Sequence, residues 1–311
     1  MSADRILVTG ATGFVGQRIM DRLVREGRVV VGVGGPKGPD GVDLADAAEC
    51  RRLIDRVRPT KIVHLAAQSS VGATIGSPDK VWRSNFDLTR NLAVALAASS
   101  VRPHLIFASS AEVYGAAFNL GRCSEVDPIM PTSPYGRTKA AAEMLLGDIS
   151  GPDLAVSSLR LFNHTGAGQD ERFVLPSFAA QIAAAESLGG GVVEVGNLEA
   201  RRDFTDVEDI IDAYAAVLDG PTPDDKMEVF NVGSGREIRI GDLLDNLIKH
   251  ALRPIVIAHD PSRMRPSDIP VAAGNFSRFQ SRYGWLAKRP IEGVLQEILS
   301  YERSKLNARV E

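Results

Sequence analysis

Two polar stretches of the chain carry residue types that can do chemistry together. "SSAEVYG" (109–115) follows the apolar run "HLIFA" and presents Ser110, Ala111 and Glu112 where a strand would end. "SPYGRTKAAAEMLL" contains Tyr135 and Lys139, an i, i+4 pair that shares one helix face and brings an ammonium near a phenol. A free tyrosine titrates near pH ~10. A nearby lysine and a bound nicotinamide cation favour the phenolate and let the group exchange protons near neutrality. Such a tyrosine can protonate the oxygen of a carbonyl while hydride arrives at its carbon, and Ser110 can hydrogen-bond the same oxygen. The Tyr-Lys spacing alone is common on surface helices, so its weight comes from the segments around it.

The hydride needs a carrier, and "VTGATGFVG" offers a place for one. Gly10, Gly13 and Gly16 follow a short β-rich run and lead into a helical pattern. Glycines there let a phosphate approach the backbone, and the helix N-terminus faces a pyrophosphate with its N–H groups. The second strand of such a unit commonly ends near an acid that binds the adenosine ribose of NAD. Here it ends "GVGGPKG", with Gly34 and Gly35 at that point. No carboxylate repels a 2′-phosphate, and Lys37 can attract one, which favours NADPH slightly over NADH; Lys37 reads equally well as a solvated loop lysine. Asp43, in "GVDLAD", can accept from an adenine amino group or simply cap a turn.

The elements that must hold these residues alternate. "RILVT", "VVVGV", "KIVHL", "LIFAS" and "AVSSLRLF" read as strands. Between them, apolar residues at Phe14, Val15, Ile19, Met20, Leu23 and Val24 have helical spacing, with Gly27 as the stop. Asp46 can cap a helix through Val57, with Glu49 placed for a capping-box return contact. Ser77-Pro78 and Ser133-Pro134 open two more helices, proline being favourable at a first helical position. This β-α order predicts an α/β fold, a Rossmann-type doubly wound parallel sheet covered by helices. After about residue 165 the pattern loosens. Helices near 175–188, 206–218, 241–252 and 291–304 alternate with short strands near 192–195, 229–232 and 255–257. The expected division is a dinucleotide-binding unit over 1–165 and a smaller, interleaved α/β substrate-binding lobe over 166–311, with some later segments returning to the first.

Bulk properties narrow the class. The 311 residues are 44% hydrophobic, enough for a sizeable core. Formal net charge is −3 with no basic tract, which argues against a nucleic-acid partner. No apolar run approaches the ~20 residues of a membrane span. The start, "MSADRILVTG", lacks the features of a signal peptide. Cys50 and Cys123 have no metal-like spacing, and only five scattered histidines are present. The expectation is a cytoplasmic protein with no metal site, no nucleic-acid partner and no membrane partner.

Glycine turn, "HLAA" (64–67), Asn85, Ser110, Tyr135 and Lys139 occur in the order found in the extended branch of the short-chain dehydrogenase/reductase family, which the chain resembles. The resemblance implies that Ser110 polarises the substrate oxygen, that Tyr135 is the acid/base, and that Lys139 orients the nicotinamide ribose and lowers the tyrosine's pKa. It also implies cofactor contacts from Thr12, Phe14, Val15, Leu44, Leu65, Ala66 and Ala67. Asn85 has either a family-type structural role or caps a turn. His64 packs at a strand end and is given no catalytic role. The family usually dimerises through two helices per subunit, here those beginning near Pro78 and Pro134, so a homodimer is expected.

"LRLFNHTGAGQDERFVLPSFAAQIA", "VGNLEARRDFTDVEDIIDAY", "VFNVGSG" and "DPSRMRPSDIPV" extend the resemblance to its nucleotide-sugar branch. Enzymes acting on GDP-linked 6-deoxyhexoses are most similar, above all the GDP-4-dehydro-6-deoxy-D-mannose reductases, with the GDP-mannose 4,6-dehydratases next. Arg202 and Arg265 then offer forked donors to a sugar diphosphate, and Asp268 can accept the ribose hydroxyls. Asn163 can donate to a phosphate, Asn197 can contact diphosphate or ribose, and Val174 gives backbone contacts to the base. His164 fixes the loop. For each of these the plainer reading is a surface salt bridge or a turn cap, and Arg201 beside Arg202 leaves the register open by one.

Glu112 separates the possible reactions. A 4,6-dehydratase needs the tyrosine plus a base and an acid for elimination, and places a polar residue before its glutamate. Here that residue is Ala111, which cannot donate a proton. A reductase needs hydride and one proton, which Ser110 and Tyr135 can supply, leaving Glu112 to position a sugar hydroxyl. Phe204-Thr205 stands where the dehydratases have Trp-Gly, and "RPSDIP" matches the reductases, while Asn275 replaces a usual acid. The expected reaction is NAD(P)H-dependent reduction of the C4 ketone of GDP-4-dehydro-6-deoxy-D-mannose to GDP-6-deoxy-D-mannose (GDP-D-rhamnose). A GDP-mannose 4,6-dehydratase, a nucleotide-sugar 4-epimerase and a non-catalytic NAD(P)-binding sensor stay open as alternatives.

Overall fold

The computed structural model describes residues 4–36, 41–68, 78–264 and 269–308. Its centre is a six-stranded sheet in which every neighbouring pair is parallel. The strands are β1 (Arg5–Thr9), β2 (Val29–Val33), β3 (Lys61–His64), β4 (His104–Ser110), β5 (Ala155–Leu161) and, from much later in the chain, Glu228–Val232. Their order is β2-β1-β3-β4-β5 followed by that last strand, the doubly wound pattern predicted from the alternation.

Both faces of the sheet are buried, as parallel strands require. Ile6, Val8, Val63 and Ile106 point to one core, which includes Ile19 and Leu23 of helix α1 (Phe14–Arg25). Leu7, Ile62, Leu105 and Phe107 point to the other, where they meet Leu53 and Ile54 of α2 (Ala47–Val57) and Leu92 and Leu96. Asp46 caps α2, accepting from the amides of Ala48 at 2.7 Å and Glu49 at 3.2 Å. The expected capping-box return is replaced: Glu49 accepts from the amide of Asp43 at 2.8 Å, because the preceding turn folds Asp43 over the helix start.

The helix predicted from Pro78 is continuous but not uniform. It runs as α3 (Pro78–Trp82), a π turn (Arg83–Asp87) and α4 (Leu88–Ala97). Helix α5 (Pro134–Ile149) begins where the Ser-Pro pair predicts, with Ser133 Oγ accepting from the Gly136 amide at 3.0 Å.

The second part of the chain has its own core. Leu175, Phe178 and Ile182 of α6 (Val174–Ser187) pack with Leu243, Leu244, Val294 and Ile298 from two later helices. A four-stranded sheet lies beside it, and the sequence reading missed all four of its strands. β6 (Asn163–Thr165) pairs with β8 (Arg201–Asp206), which also pairs with Glu237–Arg239 and Val271–Ala272. Three of them have two or three residues, too few to show alternation, and β8 buries four residues in a row, Asp203 to Asp206, rather than every second one. β7 (Gly191–Val195) pairs with Ile255–His259 as a separate two-stranded sheet. Helix α7 (Val207–Asp219) then leads back to the large sheet. Among the described residues no helix is long and apolar enough to cross a membrane.

Candidate active site

The glycine turn is shaped by what surrounds it. Gly10 has φ +72°, and a Cβ there would lie 2.8 Å from the Ala66 backbone nitrogen. A Cβ on Gly16 would stand 2.1 Å from the Gly10 carbonyl oxygen, so α1 can pack against the turn only with glycine at 16. Gly13 is the N-cap of α1; no side chain caps the helix and no acid occupies its first turn, which leaves that end suited to an anion. A cradle in which added carbons would collide, opening on an acid-free helix start, fits the pyrophosphate of a dinucleotide.

The other cofactor candidates gather near this turn, though not all as side chains. Thr12 packs on Gly34, where a Cβ would meet its methyl at 2.9 Å. Leu65 and Ala66 follow β3, their amides directed at Thr9, at 3.1 Å to its carbonyl and 3.4 Å to its hydroxyl. Ala67 continues that segment, and Phe14 and Val15 open α1. Asp43 Oδ1 accepts from the Ala45 amide at 2.9 Å, the turn-capping alternative of the sequence reading. Leu44 is buried in the core. Lys37 lies outside the described residues.

Beyond the turn, β4 delivers Ser110 and α5 delivers Tyr135 and Lys139, all three buried. Ser110 Oγ accepts from the Glu112 amide at 3.2 Å and stands near enough to the Tyr135 hydroxyl to lower its pKa. Lys139 Nζ donates to the Ala108 carbonyl at 2.7 Å and stands 5.9 Å from the centre of the Tyr135 ring. Glu112 is half-buried, with Oε2 3.5 Å from the Ser133 hydroxyl.

Electrostatics in this group differ from the expectation. Burial pushes the Tyr135 phenol up to about 12; the Ser110 side chain pulls the other way and the Glu112 charge adds to the rise. In the protein alone, desolvation of the phenolate sets the direction. Burial likewise brings Lys139 down to about 7, against a smaller upward pull from Glu143. At neutral pH Tyr135 is therefore a protonated donor and Lys139 sits at its titration point.

The surrounding residues hold α5 in place. Asn85, in the π turn, accepts from the Gln68 amide at 2.8 Å and donates to Thr138 Oγ1 at 3.2 Å. It is a bridge between elements rather than a turn cap. His64 is buried between Thr9 Oγ1 at 2.7 Å and Thr89 Oγ1 at 3.0 Å, and burial lowers its pKa to about 3, so it is a neutral packing group. Thr138 was not singled out in the sequence; its place one residue before Lys139 was the available signal.

On the substrate side, adjacent strands bring some candidates together. Asn163, exposed at the start of β6, is in register with Phe204, two residues along β8 from Arg202. Arg202 Nη1 donates to the Ile269 carbonyl at 2.7 Å and to the Arg201 carbonyl at 2.9 Å. Asn197 caps a turn, its Oδ1 accepting from the Glu199 amide at 2.9 Å. Val174 opens α6, half-buried against the lobe core. His164 Nδ1 lies 3.3 Å from the Phe162 carbonyl, tying the loop. Arg265 and Asp268 lie outside the described residues. Among those described, no group of three or more His, Cys, Asp or Glu side chains comes together as a metal site.

Comparison with known proteins agrees with this geometry. Residues 6–233 match the NAD dependent epimerase/dehydratase family. The chain is 33% identical to the GDP-6-deoxy-D-mannose reductase of Pseudomonas aeruginosa, covering 97% of this chain and 98% of that one. The structure of RMD from Pseudomonas aeruginosa complexed with NADPH superposes with a TM-score of 0.84 at 31% identity, over 97% of this chain and 100% of that one. UDP-glucose 4-epimerase of Thermotoga maritima, solved with UDP-glucose, gives a TM-score of 0.84 at 26% identity, over 97% and 99%. The glycine cradle, the buried Ser110–Tyr135–Lys139 group and these likenesses together place the chain in the NAD dependent epimerase/dehydratase family, as an NAD(P)-dependent oxidoreductase of the extended short-chain dehydrogenase/reductase type.

Proposed function

We propose that the protein reduces the C4 ketone of GDP-4-dehydro-6-deoxy-D-mannose to GDP-6-deoxy-D-mannose. The observation that carries this reading is the buried Tyr135 side chain on α5, with Ser110 of β4 beside it and Lys139 Nζ 5.9 Å from its ring centre. A ketone reduction asks the chain for one proton at one oxygen, and Tyr135 with Ser110 supplies it. Likeness to the Pseudomonas aeruginosa reductase supports the GDP-linked sugar as substrate.

In this reading the substrate ketone oxygen lies between Ser110 and Tyr135. Ser110 holds it by a hydrogen bond, and Tyr135 gives it a proton as negative charge develops there. The reduced nicotinamide, when bound, supplies the hydride. Lys139 lies under the tyrosine and is oriented by the Ala108 carbonyl. Gly10, Gly13, Gly16 and the start of α1 hold the dinucleotide, with NADPH slightly preferred. Asn163, Val174, Asn197 and Arg202, with Arg265 and Asp268, hold the nucleotide sugar, and Glu112 positions one of its hydroxyls. The chain works as a cytoplasmic homodimer; support for the pairing is that Trp82, Val94 and Met144, on the helices from Pro78 and Pro134, are exposed large apolar residues.

One observation favours a second reading. Glu112 is close enough to raise the Tyr135 pKa, which is where an eliminating 4,6-dehydratase needs its base. One experiment separates the two. The protein is incubated with enzymatically made GDP-4-dehydro-6-deoxymannose and each reduced cofactor, and separately with GDP-mannose and none. Stoichiometric consumption of NADPH with GDP-6-deoxymannose identified by NMR is expected. Conversion of GDP-mannose without added reductant would overturn the proposal.

A further inference from the structure

Helix α5 carries a second buried charged residue one turn beyond Lys139. Glu143 is buried and is held by Arg160 of β5; their side chains are 3% and 4% exposed. Arg160 Nε donates to both carboxylate oxygens, at 3.2 and 3.1 Å, and Nη2 to Oε2 at 2.8 Å. The Ser158 hydroxyl adds a bond to Oε1 at 2.9 Å. At its other end the guanidinium is fixed, with Nη1 donating to the Tyr114 hydroxyl at 2.9 Å and the Glu125 carbonyl at 3.3 Å. The Tyr114 hydroxyl in turn donates to Asn231 Oδ1 at 2.7 Å.

Lys139 and Glu143 are an i, i+4 pair, the spacing at which an amine and a carboxylate on one helix meet. In a buried setting that attraction is strong, since neither group has water to turn to. Lys139 nevertheless points away, to the Ala108 carbonyl and the Tyr135 ring, with His64 on its β3 side. The geometry points to Arg160 as a positioning residue that acts through Glu143: by filling both carboxylate oxygens it keeps Glu143 from capturing the Lys139 ammonium. The inference rests on the reading of Lys139 as the group beside the proton donor in the proposed reduction.

The test reads Lys139 directly in the full chain, with no cofactor or sugar present. Lysine-selective 13C labelling, with Lys139→Met to assign the signal, gives its titration, which lies near 7 in the unaltered chain. Arg160→Gln frees the carboxylate, so the Lys139 titration should rise by about one unit or more. Turnover should fall about tenfold or more, as expected when a reacting group is displaced. The double variant Glu143→Gln/Arg160→Gln removes the competing charge; it should return the titration to 7 or below and recover most of the lost turnover. An unmoved titration in Arg160→Gln, or a double variant as slow as the single one, overturns the proposal. If Arg160→Gln does not fold, Arg160→Met replaces it: it keeps the length of the side chain and removes both the charge and the donors, so the same rise is expected and its absence has the same force. Because the titration needs no substrate, failure of the protein to reduce the keto sugar would remove the functional reading without deciding this one.

Discussion

Asn85 donates to the hydroxyl of Thr138 at 3.2 Å, and Thr138 donates to the carbonyl of Tyr135 at 2.8 Å. The π turn is thus fastened to the helix that carries the proton donor. Thr138 is buried and Gln68 half-buried, so Asn85→Ala would leave the Gln68 amide and the Thr138 hydroxyl short of a bond. Unfolding in urea should show a loss of about 1–3 kcal/mol, the cost of unsatisfied buried polar groups. Asn85→Asp keeps the acceptor for Gln68 and should recover part of it.

Tyr135→Phe removes the proton donor while keeping the ring. Turnover should fall by about 10²-fold or more, the usual contribution of a positioned acid. The dissociation constant for NADPH, read by fluorescence, should change by less than about threefold, since the glycine turn and the start of α1, which stay unaltered, are what fit the dinucleotide. A variant that turns over at the unaltered rate would remove Tyr135 from the mechanism.

Two glycines of the turn should respond differently to a methyl group. Gly16→Ala places a carbon 2.1 Å from the Gly10 carbonyl oxygen, whereas at Gly13 the nearest atom, the same oxygen, is 3.2 Å away. Gly16→Ala should lose about 3 kcal/mol or fail to fold, as overpacking against rigid backbone does. Gly13→Ala should keep a melting temperature within a few degrees of the unaltered chain and show its defect mainly in NADPH affinity.

Stability should depend on pH through two buried histidines. Burial lowers His64 to about 3 and His104 to about 4, each from the usual 6.5. The unfolded chain therefore binds protons at these sites before the folded one does. Their contribution to stability is complete above about 6.5 and is lost as pH falls toward the folded values. Urea midpoints between pH 7 and 4 should fall, and His104→Asn, which cannot take up the proton, should flatten part of the slope.

Arg202 Nη1 donates to the Ile269 carbonyl at 2.7 Å. Arg202→Met should raise KM for the nucleotide sugar about tenfold, the equivalent of one hydrogen bond to a charged group. The turnover number should stay within a few fold.

What could be read from the sequence follows physical lines. Gly10, Gly13 and Gly16 were legible because a tight backbone leaves its mark at fixed spacing. The Ser-Pro starts at 133 and 134 and the apolar runs of β1 to β5 were legible for the same reason: each is a local rule. Thr138 meets Asn85 from 53 positions away, and Arg160 meets Glu143 from another element, so neither contact could be seen locally. A signal for the second pair existed in an arginine set inside an otherwise buried strand, a residue type almost never buried without a partner. Spacing shows that Lys139 and Tyr135 are near each other and says nothing of how dry the pair is, so the burial of both could not be read locally.

The path of the chain has a consequence for how the molecule is put together. The large sheet borrows its outermost strand, Glu228–Val232, from a point after the chain has already built much of the neighbouring lobe. Cutting the gene near residue 165 would strip β5 of that cover and leave a row of unpaired amides and carbonyls at a raw border, which invites fibrous association. During synthesis the cofactor-binding sheet is completed only once its distant strand has been made.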